Sequence, residues 1–324
     1  MAGCTAQGPE TKIHEWRCQC LFPPTDLSYA ISLQGVTDAL NEELEGQLHI
    51  TLYSPGQIVP EEEMFDALKG GAYEAAMTVP AWAAAVIPEA IIAMGLPMSW
   101  QSWEQSLEFM YDYGGLDFIR KYYAEHNIFW LAPEPSSPLP IMGNFPLRQL
   151  PDMKGKTVWS EGPTALYVEA AGGKAVVFPP EELYMGLKLG TVDAFIYSEA
   201  ELKTSNYYEV VDYVNYPAVV GVANMDILVN MDAWNDLGPE LQAKVEEIVK
   251  RVGPELAGKY EKENDVGVSY AVEHGVQIVE MDPEKTSELR APASQVWDEV
   301  AKMSPGCAEY IALLNDYLKA KGIA

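Results

Sequence analysis

Residues 238–274 carry apolar side chains at Leu241, Val245, Ile248, Val252, Leu256 and Tyr260, the spacing of one helical face. Pro239 suits a first helical turn. The run meets no stop before His274-Gly275 except Gly253-Pro254, where the missing N–H predicts a kink or an interruption. A helix of about 35 residues reaches about 50 Å at 1.5 Å per residue. That is longer than one small domain, so such a helix has to lie across two lobes. The length of 324 residues suits the same division, because single cores stop growing near about 250–300 residues.

The rest of the chain supplies the two lobes. Residues 15–22 read as a strand stopped by Pro23-Pro24. Residues 26–45 have the helical period of Leu27, Ile31, Val36 and Leu40, with Thr25 or Asp26 as the N-cap. Residues 47–53 alternate as a strand. Residues 60–69 form a helix whose first turn, Glu61-Glu62-Glu63, sets acids against the positive end of the dipole, and residues 72–78 are strand-like. After a helical region at 111–126 and a short strand at 129–132, the alternation restarts: strand 156–160, helix 164–171, strand 175–178, helix 180–189, strand 192–197. Alternating strands and helices argue for parallel-rich α/β sheets.

Composition excludes several functions. With 21 basic against 48 acidic side chains the formal net charge is -27, which is hostile to nucleic acid and to anionic membrane surfaces. The longest apolar region, 79–95, is broken by Pro80, Pro88 and Glu89, short of the roughly 18 residues a membrane span needs. There is no G-x-S-x-G, no P-loop, no G-x-G-x-x-G after a strand and no H-E-x-x-H. The four histidines are scattered, and Cys18 and Cys20 lack the further ligands of a zinc site and read as buried thiols. No enzyme, cofactor or metal is expected. Near the start, Ala2-Gly3-Cys4 matches the end of a bacterial lipoprotein cleavage site with Met in place of its Leu, and the polar residues 5–11 suit a tether behind a lipidated Cys4.

Several ordered segments resemble one family. Asp152-Met-Lys-Gly-Lys-Thr-Val-Trp-Ser-Glu-Gly162 resembles the D-L-K-G-x-K-[IF]-R-x-x-G segment of the solute-binding proteins of TRAP (tripartite ATP-independent periplasmic) transporters. Ala170-Ala-Gly-Gly-Lys-Ala-Val-Val-Phe-Pro179 and Glu182-Leu-Tyr-Met-Gly-Leu-Lys-Leu-Gly-Thr-Val-Asp-Ala194 follow in the family's order, as does Asp226-Ile-Leu-Val-Asn-Met-Asp-Ala-Trp234. Ser54-Pro-Gly-Gln57, Met64-Phe-Asp-Ala-Leu-Lys-Gly-Gly71 and Met110-Tyr-Asp-Tyr-Gly-Gly115 are similar to the branch that binds 2-oxo acids and lactate, often with a metal ion. The resemblance implies a periplasmic, type II-like binding protein with two α/β lobes, which closes on a small molecule and delivers it to TRAP membrane subunits. On that reading residues 1–11 are the tether. Lobe one is 12–131 completed by about 220–250, and lobe two is 132–219 completed by the C-terminal helices at about 251–324.

The departures from the family bear on the ligand. The family's Arg, which pairs bidentately with a ligand carboxylate, is replaced by Trp159. The branch's Gln and Glu fall on Leu139 and Ile196, with Tyr197 beside the latter, so neither the carboxylate clamp nor the metal carries over. Phe22, Trp82, Trp159 and Tyr197 all fall at carboxyl ends of expected strands, where open α/β sheets place ligands. Such a pocket suits an aromatic or apolar organic acid stacked on Trp159, held by backbone N–H groups near Gly162 or by Arg148 or Arg17. Family precedent makes that acid the expected ligand. The alternative is an ammonium compound in an aromatic box with Glu134 or Glu161 as counter-charge, favoured by the lost Arg and by the acidity of the chain.

Overall fold

The computed structural model describes residues 12–323; Cys4 and the tether lie outside them. The described residues form eleven strands: β1 (His14–Cys20), β2 (Leu48–Tyr53), β3 (Ala75–Thr78), β4 (Ile128–Pro135), β5 (Leu139–Gly143), β6 (Thr157–Trp159), β7 (Lys174–Val176), β8 (Ala194–Ile196), β9 (Tyr213–Val220), β10 (Asn224–Asn230) and β11 (Gln277–Glu280). They make two sheets, ordered β2-β1-β3-β10-β4 and β11-β9-β5-β8-β6-β7. β1 pairs in parallel with β2 and β3, with Trp16 opposite Ile50 and Cys18 opposite Ala75, while β10 runs antiparallel to β3 and β4. In the second sheet β6 is parallel to β7 and β8, whereas β5 runs against β8 and β9.

Strand β4 outruns the expected 129–132, and β5 has no counterpart in the sequence reading. Pro133 and Pro135 lie in β4, an edge strand, where a missing N–H costs no ladder bond on the open side. Pro140 lies in the central strand β5, at the irregularity in register between Leu139 and Ile141. The helical region around 111–126 is two helices, Trp103–Asp112 and Gly115–Ala124, parted at Gly114 with φ +84°.

The long helix is Gly238–Glu273, 36 residues. The expected interruption does not occur: the helix continues through Pro254. Burial of Val249, Val252, Leu256 and Ala257 around the proline outweighs its intrinsic cost of about 3 kcal/mol. Leu241 to Leu256 pack with Trp16, Cys18, Leu40 and Val229 on one face of the first sheet. Further along, Val268 and Ala271 join Trp159, Phe195 and Val214 on the second sheet. One helix therefore spans both sheets. The opposite faces of the two sheets share a continuous core, in which Trp130 and Tyr123 belong to the first sheet's side and Val158 and Ile196 to the second's. Helix Arg290–Ala301 packs on helix Gly162–Ala170, while the final helix Pro305–Ala320 packs on Gly115–Ala124 and Ala90–Met94. The cysteines Cys18, Cys20 and Cys307 are free and buried.

Candidate functional site

Strand direction locates the cleft. Because β10 opposes both β3 and β4, β4 runs with β1 to β3, and their carboxyl ends share one edge of the first sheet. In the second sheet that edge carries the ends of β6, β8 and β9 and the start of β5. The chain crosses between these edges twice, at 136–138 and at 221–223. A three-residue connection spans at most about 14 Å, so the two edges face each other closely.

Between them sits a polar and aromatic cluster drawn from four segments. Asp26, just past β1, accepts the N–H of Ser28 at 2.7 Å. The Ser28 hydroxyl is 3.4 Å from the Tyr260 hydroxyl on the long helix, and Ser198, beyond β8, lies close enough to Tyr260 to influence its titration. Tyr197 lies within the fields of Asp26, Glu201 and Tyr260 and meets the edge of Trp159 at 5.6 Å and 83°. Burial pushes the carboxyls of Asp26 and Glu201 up, and the charge of Asp26 raises Glu201 further. Glu201 takes a hydrogen bond from the Ser205 hydroxyl. Two carboxylates from opposite sides of a cleft, beside the phenols of Tyr197 and Tyr260, form an electronegative site in which no Lys or Arg among the described residues takes part.

A turn further along the helix, Asn264 pins the crossing. Its Oδ1 is 3.1 Å from the Ser137 hydroxyl and 3.4 Å from that of Ser198, and Ser137 Oγ accepts the N–H of Glu199 at 3.2 Å. Gly267 lets the helix approach this loop: a Cβ there would stand 2.6 Å from the Glu199 carbonyl oxygen. The Glu199 carboxylate accepts the Tyr216 hydroxyl, yet desolvation pushes it up to about 7, aided by Asp265 and Glu261. Since this lies above the ordinary 4.5, the folded chain holds an extra proton between the two values. Stability contributed by Glu199 therefore declines as pH rises from about 4.5 to about 7 and is level above that. Asp226, pushed up to about 6 by burial, behaves likewise from 3.8 upward. Glu199→Gln should remove its share of the slope, on the order of 3 kcal/mol, in urea midpoints taken across that window. Parallel wild-type and variant profiles would rule the assignment out.

The residues expected from sequence are only partly brought together. Tyr197 is in the cluster. Trp159 adjoins it but is 1% exposed, its indole N–H donating to the Phe178 carbonyl at 2.9 Å. Strand alternation turns Trp159 into the core beneath the loop, so it supports Tyr197 instead of offering a free face for stacking. Phe22 is half-buried against the first sheet's core. Trp82, on the short helix Pro80–Ala83, is 49% exposed. Leu139 and Ile196 face the other side of the sheet from Trp159. Gly162 opens helix Gly162–Ala170, and a Cβ on it would stand 3.8 Å from that of Ala81 on the opposing lobe. Glu161, the residue before it, is solvent-exposed. Glu134, at the end of β4, is buried with both carboxylate oxygens unpartnered, and desolvation raises it well above the usual carboxylate range. Its charge raises the Tyr111 hydroxyl, on the helix Trp103–Asp112.

The arginines expected to hold a carboxylate do not reach the cleft. Arg148 is a correction: β5 is antiparallel, so the loop that follows it emerges at the edge opposite Trp159 and Ile196. Arg17 is paired bidentately with Glu74 at 2.9 and 3.0 Å. Arg120 pairs with Glu246 and two backbone carbonyls, Arg251 with Glu43, and Arg290 with the Ile323 carbonyl. Among the described residues no three His, Cys, Asp or Glu side chains converge as a metal site. Leu139, Trp159 and Ile196, which the resemblance aligns with the branch's ligand positions, offer no carboxylate, amide or imidazole donor to a metal ion. Sequence reading missed Ser28, Ser198, Glu199, Glu201, Tyr260 and Asn264. Asp26 had the look of a helix cap and Tyr260 of a core position; neither spacing nor motif marks them as site residues.

Two α/β sheets joined by two short crossings and a spanning helix, with a polar cluster at the facing edges, define a two-lobed solute-binding protein. Residues 25–303 match the family described as bacterial extracellular solute-binding protein, family 7 (DctP), and the chain belongs to that family. Its members are periplasmic proteins of TRAP transporters, which bind and hand over solutes and are not enzymes. The chain is 24% identical over 296 residues to a monocarboxylate 2-oxoacid-binding periplasmic protein of Nostoc sp., covering 88% of this chain and 79% of the relative. An open, ligand-free TRAP periplasmic solute-binding protein from Rhodobacter sphaeroides superimposes with TM-score 0.82 at 24% identity, over 96% of this chain and 99% of that one. A similar protein from Chromohalobacter salexigens, solved with bound (S)-(+)-2-amino-1-propanol, gives TM-score 0.80 at 20% identity, with 96% of each chain covered.

Proposed function

We propose that this TRAP solute-binding protein captures a small organic cation, an amine or quaternary ammonium compound, and delivers it to the membrane subunits. The observation that carries the reading is the pairing of Asp26 and Glu201 across the facing edges, beside Tyr197 and Tyr260, with every arginine engaged or placed elsewhere. A ligand carboxylate there would meet two like charges and no guanidinium; an ammonium would meet two counter-charges and aromatic rings, each worth about 0.5–2 kcal/mol as a cation–π partner. The amino alcohol bound by the Chromohalobacter protein supports an amine as a ligand for this fold. The 2-oxo acid binding of the Nostoc relative supports the organic acid expected from sequence, and the missing guanidinium weighs against it here.

In this reading lobe one comprises 12–135 and 224–256 with the last helix, and lobe two 139–220 and 268–301. The Ser136–Ser137 and 221–223 crossings act as the hinge. Contacts made only in the closed state shift the population toward closure when ligand binds. A thermal-shift panel of amino alcohols, quaternary amines, aromatic acids and short 2-oxo acids tests this, with native mass spectrometry confirming stoichiometric, unaltered ligand. Stabilisation by amines is the expected result. Stabilisation by carboxylates alone would refute the cation assignment and return the expected acid.

A further inference from the structure

The end of lobe two away from the cleft gathers several cations in an otherwise acidic chain. Arg148, Lys156 and Lys285 border a groove of about 540 Å3, against one acid, Asp152. Lys154 and Lys174 stand beside it, because β6 and β7 begin there and the Lys174 N–H donates to the Lys156 carbonyl at 2.8 Å. Lys285 arrives from beyond β11, and its Nζ donates to Gln149 Oε1 at 2.9 Å across 136 residues of sequence. In a chain of net charge -27 this gathering is built by the topology and is not a general property of the surface.

The cations are also incompletely neutralised. The Arg148 guanidinium has no ion-pair partner among the described residues, and the partner of Lys285 is a neutral amide. Lys156 is 3.9 Å from Asp193 and sits over the Phe145 ring at 4.8 Å. Both nearby carboxylates are committed to the backbone: Asp152 accepts the N–H groups of Arg148 and Gln149 at 3.0 and 3.2 Å, and Asp193 accepts that of Thr157 at 2.8 Å. A fork-shaped guanidinium and two ammonium groups around one concavity match the oxygens of a tetrahedral dianion.

We propose that this groove binds a phosphate-type dianion, as free phosphate or as a phosphate-bearing headgroup. It is independent of the cleft and of the cation assignment. Isothermal titration of the full chain with inorganic phosphate should show saturable, salt-sensitive binding, weakened about tenfold by Arg148→Ala and about tenfold again by adding Lys285→Ala. Amine binding in the cleft, measured on the same variants, should not change. Vesicles of anionic phospholipid, against zwitterionic ones, separate the two sources: retention on anionic vesicles that the double variant loses assigns a headgroup, and a response to inorganic phosphate alone assigns the soluble ion. No saturable response to either, or one equal in wild type and double variant, overturns the proposal.

Discussion

The double variant Asp26→Asn/Glu201→Gln should bind an ammonium ligand at least about 100-fold more weakly than wild type, because truncating the charge partner of a desolvated ion costs about 2–5 kcal/mol. The same change should make the unliganded protein more stable. Burial raises both carboxyls in the folded state, so ionising them at neutral pH disfavours folding, and neutral isosteres remove that cost. The amide oxygen introduced at position 26 can still accept the Ser28 N–H, and the one introduced at position 201 the Ser205 hydroxyl, so the local hydrogen bonds survive. Calorimetric titration together with unfolding of the apo form reads both effects. Weaker amine binding with a higher apo Tm is the signature of a charged ligand site. A carboxylate ligand would instead bind the variant more tightly, and that result would end the cation reading.

Much of the architecture was legible because it rests on repeated signals. The long helix declares itself through six apolar positions on one face, and the strand and helix alternation through residue periodicity that burial later respects, as at Trp16, Cys18 and Cys20 on one side of β1. Single residues were less transparent. Pro133, Pro135 and Pro140 look like breakers until an edge position or an irregular register excuses them. Arg148 looks close to the cleft in sequence because the antiparallel course of β5 cannot be read locally. Trp159 stands where the sequence resemblance implies a ligand-binding Arg, but a bulky apolar side chain gains more by burial against Phe178 and Tyr197 than by facing water. The cleft cluster draws on 26–28, Trp159, 197–201 and 260–264, and no pattern within one segment reports a site assembled from four.

Gly221→Ala should destabilise the protein by about 2–4 kcal/mol, a fall in Tm of about 5 °C for a chain of this size, although its backbone can accept alanine. The obstacle is steric. A Cβ at Gly221 would stand 2.4 Å from the Gln101 Cα and 2.5 Å from the Trp100 carbonyl oxygen. These are backbone atoms, unable to swing aside, and their segment is fastened on both sides of the glycine: the Met98 N–H donates to the Val219 carbonyl at 2.8 Å and the Trp100 indole to that of Val222 at 2.7 Å. The crossing at 221–223 is thus clamped against lobe one, and an added methyl has to open the clamp where one of the two short crossings between the sheets bends. If the proposed hinge lies at this segment, ligand affinity should fall with stability. Gly258→Ala on the long helix provides the opposite case. Nothing lies within 4 Å of its Cβ position, and helix propensity there favours alanine by about 0.5–1 kcal/mol. The same substitution at two glycines should therefore move Tm in opposite directions in parallel melts; a Gly221→Ala protein that melts and binds like wild type would show that the crossing is not clamped.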